Sequence, residues 1–148
     1  FTVEEPKADR SRNIPYGKTV RIINKATNRP AIALEHGLLY DTNAGNMSEL
    51  TRFRIIDCKK GCVALQCADG RYVKVYGDGL PGDVRFTSDA REAEVFLWQD
   101  YLDHDFMLLS LKNHKYLGKN PTTGSPYSMD FAGPDPGQRN GAVFHWEE

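Results

Sequence analysis

The sequence predicts an all-β protein of the β-trefoil class, in which three lobes of four strands are related by a pseudo-threefold axis. The first observation behind this prediction is a hairpin-like stretch, VALQCADGRYVKV at 63–75, that returns as MLLSLKNHKYLGK at 107–119. The second is a pair of similar closing segments, EVFLWQD at 94–100 and AVFHWEE at 142–148. Apolar residues alternate in these stretches, which is typical of β-strands rather than helices.

A third, fainter copy of the repeat opens at Val20 and closes at Phe53, 33 residues later. The same 33 residues separate Val63 from Phe96 in the second copy. Three copies of about 45 residues therefore fill 17–148. A β-propeller needs more blades than three, whereas three four-stranded copies suit a barrel of six strands capped by three hairpins.

The alternation also predicts the core. Inward positions on the opening and closing strands of the three copies should fill the barrel. These positions are Val20, Ile22, Phe53, Val63, Leu65, Phe96, Met107, Leu109 and Phe144. Ile55, Trp98 and Trp146 lie two residues after the closing phenylalanines, so we expect them to share the inward face.

Residues 1–16 are charged and contain proline, which predicts a linker or N-terminal extension that joins the domain to something upstream. Ile14 and Tyr16 are expected to dock on the barrel. The β-trefoil domain is expected to occupy 17–148. Its lobes should span about 17–60, 61–104 and 105–148.

The composition excludes several classes of protein. The chain has 148 residues and a formal net charge of −1, with lysine and arginine scattered along it. Nucleic-acid binding would need a basic stripe, so we expect no nucleic-acid partner. No apolar run approaches the roughly 18 residues that a membrane span needs, so no membrane partner is expected either.

Three cysteines, Cys58, Cys62 and Cys67, fall within ten residues. Three interpretations stay open: reduced, packed thiols, a disulfide between Cys58 and Cys62, or a zinc site completed by a distant ligand. Four histidines lie far apart in sequence, and no nucleophile elbow, HExxH motif or phosphate loop occurs. We therefore predict a protein that is not an enzyme and that needs no cofactor or metal.

The quoted hairpins and closing strands resemble those of fascin-like and ricin-like β-trefoils, in particular the modules appended to microbial polysaccharide-degrading enzymes. The resemblance covers nearly all of the chain after Gly17. Sugar-binding relatives often carry a Trp-Glu pair just before the closing phenylalanine of a lobe. Glu94 occupies the glutamate place of that pair in lobe two, and the other two lobes have neither residue.

The resemblance implies a noncatalytic carbohydrate-binding module that brings a glycoside hydrolase to polysaccharide. The implied partners are an oligo- or polysaccharide and a catalytic domain in the same parent chain, and the implied location is secreted, periplasmic or at the cell surface. The alternative is a protein-interaction β-trefoil, such as a fascin-like actin-binding domain, which would be cytoplasmic.

The predicted ligand-binding residues lie in the loops after the second strand of each lobe, where aromatic rings accompany polar side chains suited to sugar hydroxyls. Lobe two supplies Tyr76, Asp78, Asp83, Arg85, Asp89 and Glu94. Lobe three supplies Asn120, Tyr127, Asp130, Asp135, Arg139 and Asn140. Lobe one supplies Tyr40 and Asp41. The alternative is that the aspartates and glycines of these loops serve only their turns.

Overall fold

The computed structural model describes residues 14–34, 38–40, 49–76, 84–101, 104–112, 114–118, 130–133 and 142–148. These residues form twelve β-strands, four in each lobe. Lobe one contributes β1 (Thr19–Asn24), β2 (Arg29–Ala33), β3 (Leu38–Tyr40) and β4 (Arg52–Asp57). Lobe two contributes β5 (Cys62–Cys67), β6 (Tyr72–Val75), β7 (Val84–Thr87) and β8 (Phe96–Asp100). Lobe three contributes β9 (Phe106–Ser110), β10 (Tyr116–Gly118), β11 (Asp130–Gly133) and β12 (Phe144–Glu147).

Six of the strands close into a barrel, because each has an antiparallel partner on both sides. Around the ring, β1 pairs with β4, β4 with β5, β5 with β8, β8 with β9, β9 with β12, and β12 with β1. Closure of this ring satisfies the edges that an open sheet would expose to another chain.

The other six strands form three hairpins, one for each lobe. They are β2–β3, β6–β7 and β10–β11, and each continues from an opening barrel strand, β1, β5 or β9. A six-stranded barrel with three hairpins in threefold arrangement is a β-trefoil, so the predicted fold class is confirmed. Short 3-10 turns at Glu49–Thr51 and Ala90–Glu92 lead into β4 and towards β8.

Four phenylalanines fill the centre of the barrel. Phe53, Phe96, Phe106 and Phe144 are each at most 1% exposed. Phe106 stacks on Trp98 with ring centroids 3.8 Å apart, and it also contacts Phe144 at 5.8 Å. Aliphatic side chains from the inward positions of all three lobes surround these rings, which makes the core one continuous cluster.

The positions predicted for lobes one and two are correct, including Ile55 and Trp98, which are buried in the core. Trp146 is only partly buried and packs against the same cluster. Ile14 is also buried there, and Tyr16 packs beside it, so the predicted docking of these two side chains is confirmed.

Phe144 occupies the core as predicted, whereas the prediction for the opening strand of lobe three is wrong by one residue. Phe106 and Leu108, rather than Met107 and Leu109, occupy the barrel core. The reason is the length of the turn. In lobe two, Gln66 pairs with Tyr72, whereas in lobe three Leu109 pairs with Tyr116, so the turn of lobe three is one residue longer. A shift of one residue moves every side chain of a strand to its other face.

Met107 and Leu109 instead contribute to a small second cluster. It consists of buried Met107, Tyr116, Ala142 and Val143, with Leu109 packed against it and partly exposed. Among the described residues, no helix is long and apolar enough to cross a membrane.

The adjacent leucines of β9 offer a matched test of this register. Leu108→Ala should lower the free energy of unfolding by about 2–5 kcal/mol, because it leaves a cavity in the barrel core. Leu109→Ala should cost less, because that side chain is already partly exposed. Chemical denaturation of both variants measures the difference, and a larger loss for Leu109→Ala would contradict the register.

Candidate functional site

The hairpin of lobe two presents a polar face to solvent. Val73 and Val75 of β6 and Val84 of β7 are at most 3% exposed and point into the core. Because side chains alternate along a strand, Lys74 lies on the outer face, and the register places it directly opposite Arg85. The outer face of the hairpin therefore carries two cations side by side.

Tyr76 lies at the end of β6 and is 38% exposed, although a large ring would ordinarily be buried. The Lys74 Nζ atom lies 4.8 Å from the centroid of the ring, and the Arg85 Cζ atom lies 5.2 Å from it. Both distances are within the range of a cation–π contact. The two cations restrict the ring while much of its surface remains open to solvent.

Hydrogen-bonding groups lie next to these cations. The Lys74 Nζ atom is 3.4 Å from Glu92 Oε1, and the same oxygen accepts a hydrogen bond from Thr87 Oγ1 at 3.1 Å. The Glu92 side chain is half exposed, so its carboxylate can also reach a ligand. We refer to Lys74, Tyr76, Arg85, Thr87 and Glu92 as the Tyr76 surface.

Asp89, a predicted site residue, has a structural role in the described contacts. Its side chain accepts a hydrogen bond from the Arg91 backbone N–H at 2.9 Å and so caps the 3-10 turn at Ala90–Glu92. The Arg91 guanidinium also donates to it, at 3.0 and 3.1 Å. The side-chain hydrogen bond from Arg91, together with the backbone one, lowers the pKa of Asp89. The cap positions the turn that carries Glu92.

Glu94 links lobe two to lobe three. Its carboxylate accepts hydrogen bonds from the Ser110 hydroxyl and, at 3.1 Å, from the Lys112 backbone N–H. Ser110 is fully buried, so this carboxylate satisfies a polar group that water cannot reach. The described contacts of the Glu94 side chain are therefore with lobe three, and none of them is with the ring of Tyr76.

Most of the remaining predicted residues lie outside the described residues. Tyr40 ends β3 opposite Ala31, and Asp130 begins β11 opposite Gly118. The predicted residues outside the described ranges are Asp41, Asp78, Asp83, Asn120, Tyr127, Asp135, Arg139 and Asn140.

Of the predicted residues, the structure brings Tyr76 and Arg85 together, and sequence reasoning missed Lys74, Thr87 and Glu92. The alternation of YVKVY at 72–76 was a signal for Lys74, because it places that lysine on the same side as Tyr76. No comparable pattern points to Glu92, because its position beside Lys74 depends on the turn that Asp89 caps.

All three cysteines are free thiols, in agreement with the first of the three interpretations. Burial raises the pKa of Cys67 to about 12, with the Asp69 carboxylate adding to the effect and the Arg71 guanidinium opposing it. Burial also raises the pKa of Cys58, with smaller contributions from Cys62 and Asp57. Among the described residues, no group of three or more His, Cys, Asp or Glu side chains is arranged to hold a metal ion.

The architecture defines the chain as a β-trefoil, and comparison with solved structures agrees. A designed threefold symmetric protein, ThreeFoil, superimposes with a TM-score of 0.70, over 88% of this chain and 98% of that one. The two sequences are 11% identical, so the similarity shows the fold alone. No protein-family model and no curated protein matches the chain.

The lobe junction gives one testable prediction. Glu94→Ala should lower the free energy of unfolding by about 1–3 kcal/mol, because it removes an acceptor from the buried Ser110 hydroxyl. Glu92→Ala is the matched control, since that glutamate is exposed and should change stability by less than about 0.5 kcal/mol. Urea denaturation of both variants measures this, and equal losses would contradict a structural role for Glu94.

Cys67 gives a second prediction, for alkaline pH. The folded protein keeps the thiol proton up to a pKa of about 12, whereas the unfolded chain releases it near the usual 9.0. The folded state therefore holds more protons above pH 9, so stability falls as the pH rises from 9 towards 12. Between pH 8 and pH 10 the loss from this thiol should be about 1.4 kcal/mol.

Cys67→Ala is the control, because it keeps every other titratable group. Urea denaturation at the two pH values should show a smaller loss for this variant than for the unaltered protein. Equal pH dependence in the two proteins would mean that the thiol does not titrate as described.

Proposed function

We propose that the chain is a noncatalytic carbohydrate-binding module whose ligand binds on the Tyr76 surface. The observation that carries this proposal is an exposed tyrosine ring at the end of a strand whose inward side chains are buried in the core, with hydrogen-bonding side chains around the ring. A sugar ring stacks its apolar C–H face on an aromatic ring while its hydroxyl groups bond to polar neighbours. Lys74 and Arg85 supply donors at such positions, and Glu92 supplies an acceptor.

The scaffold beneath this surface favours binding with little rearrangement. Val73 and Phe86 lie directly opposite each other on the inner side of the hairpin, and Val73 is fully buried. The Arg71 guanidinium packs over the Phe86 ring, 4.2 Å from its centroid, which adds a further contact to β7. A preformed surface of this kind loses little conformational entropy when a ligand binds.

The surface is an open strand face, so we expect a shallow site and weak affinity. A dissociation constant of roughly 0.1–1 mM corresponds to about −4 to −5 kcal/mol. Such affinity is enough for a tethered module, because linkage to a second polysaccharide-contacting domain raises the effective concentration. In this proposal the module holds an attached or neighbouring glycoside hydrolase close to polysaccharide, as the resemblance to appended trefoils implies.

The test compares two tyrosines with the same exposure. Tyr76 and Tyr101 are each 38% exposed, but only Tyr76 lies among the polar side chains of the proposed site. Affinity gel electrophoresis against a panel of plant, fungal and bacterial polysaccharides identifies the ligand, and calorimetry with its oligosaccharide gives the affinity. Tyr76→Ala should weaken binding by about fivefold, because stacking is worth on the order of 1 kcal/mol.

Tyr101→Ala should bind as the unaltered protein does, and Tyr76→Phe should retain most of the affinity because it keeps the ring. No retardation and no heat with any glycan of the panel would refute the proposal. Co-sedimentation with actin filaments in place of glycan binding would support the protein-interaction alternative.

A further inference from the structure

A second polar site lies on the outer wall of the barrel, in the cleft between lobes one and two. The cleft has a volume of about 330 Å³, which is within the size range of small-molecule sites. Its lining residues are Thr19, Glu49, Arg52, Arg54, Gln66, Cys67, Ala68 and Gly70. None of these residues belongs to the Tyr76 surface.

Two arginines of β4 dominate the charge of this cleft. Phe53 points into the core, so Arg52 and Arg54 on either side of it lie on the outer face, about 6–7 Å apart along the strand. Among the described residues, neither guanidinium forms an ion pair or a side-chain hydrogen bond. The planar guanidinium presents paired donors that match the oxygens of a carboxylate, sulfate or phosphate.

Within the described part of the chain, the nearby acidic side chains leave most of this charge uncompensated. Glu49 lines the cleft as its one carboxylate among the described residues, and it is exposed. Asp69, in the adjoining turn, accepts a hydrogen bond from Arg71 Nε at 2.7 Å and is therefore neutralised locally. Among the described lining residues two cations face one carboxylate, so these residues together carry a net positive charge.

The register of the barrel places a third cation, Arg21, beside this pair. Arg21 of β1 lies directly opposite Arg52, and like charges in that position destabilise a sheet. Arg21 reaches Glu147 on the other side, at 3.8 Å, and its Nε atom is buried without a hydrogen-bond partner. An anion bound between Arg52 and Arg54 would relieve this repulsion.

The remaining lining groups suit a small polar molecule. Thr19 lies opposite Arg54 on one side and Gln66 lies opposite it on the other, so a hydroxyl and an amide flank the guanidinium. Gln66 donates weakly to the Gly70 carbonyl and to the Tyr72 hydroxyl, both at 3.4 Å, and its amide oxygen is an acceptor. These neutral groups can bond to hydroxyls beside an anionic group.

We propose that this cleft binds the oxyanion group of a small polyhydroxylated molecule, and that Arg52 and Arg54 bind that group. The group is a carboxylate, a sulfate or a phosphate, because guanidinium matches the paired oxygens of all three. The site is independent of the Tyr76 surface and of the function proposed for it.

Calorimetry and NMR titration with matched sugars test this proposal. The probes are glucuronate, glucose 6-sulfate and glucose 6-phosphate, with neutral glucose as the control, and inorganic sulfate and phosphate show whether the sugar is needed. At least one charged sugar should bind at least tenfold more tightly than glucose, and its affinity should fall as the salt concentration rises. The charged sugar that binds most tightly identifies the oxyanion.

The variants are chosen to keep the fold. Arg52→Gln and Arg54→Gln change outward-facing side chains, and each should weaken binding of the charged sugar by at least fivefold. Arg91→Gln is the matched control, because the Arg91 side chain is 90% exposed and lies on another surface. Tyr76→Ala should leave this binding unchanged, which separates the site from the proposed glycan site.

Equal binding of glucose and the charged sugars would overturn the proposal, as would unchanged affinity in both cleft variants. In the unaltered protein, a titration with the charged sugar that leaves the NMR signals of Thr19, Arg54 and Gln66 unshifted would also overturn it. Absence of binding by every anionic probe at millimolar concentration would overturn it as well.

Discussion

Closure of the six-stranded barrel around its buried phenylalanines is the constraint on which the rest of the structure depends. The ring is complete only when β12 pairs with β1, which joins the last of the described strands to the first. Phe53, Phe96 and Phe144 hold equivalent places in the three lobes, and Phe106 adds a fourth ring stacked on Trp98. Because protein interiors are closely packed, each lobe must supply side chains of the right size at these positions.

The candidate binding residues lie outside this core. Val73 and Val75 of the lobe-two hairpin pack in the core, so the side chains on the outer face of this hairpin can differ without disturbing that packing. That freedom accounts for an exposed tyrosine beside two cations in lobe two. It accounts equally for Arg52 and Arg54, which alternate with the core residue Phe53 on β4. Both candidate sites therefore consist largely of outward-facing side chains on strands whose inward-facing side chains form the core.

The sequence predicted the strands, the threefold repeat and most of the core, because alternation reports which side of a strand is buried. It failed at β9, where the run from Phe106 to Leu109 is apolar at every position and so gives no alternation to read. Residue type and loop position predict Asp89 and Glu94 as site residues, and the resemblance also points to Glu94, yet their described partners are Arg91 and Ser110. Acidic side chains that cap turns or join lobes cannot be told from ligand-binding ones without the contacts that the fold creates.

In this interpretation the repeated positions build the barrel, while the outer face of the lobe-two hairpin binds glycan. An NMR titration of the isotope-labelled protein with a neutral oligosaccharide of the polysaccharide that retards it most tests this claim directly. We expect backbone amide shifts concentrated at Lys74, Tyr76, Arg85 and Glu92, with β4 and β12 unchanged. Shifts of equal size in all three hairpins, or shifts that miss the lobe-two hairpin, would contradict it.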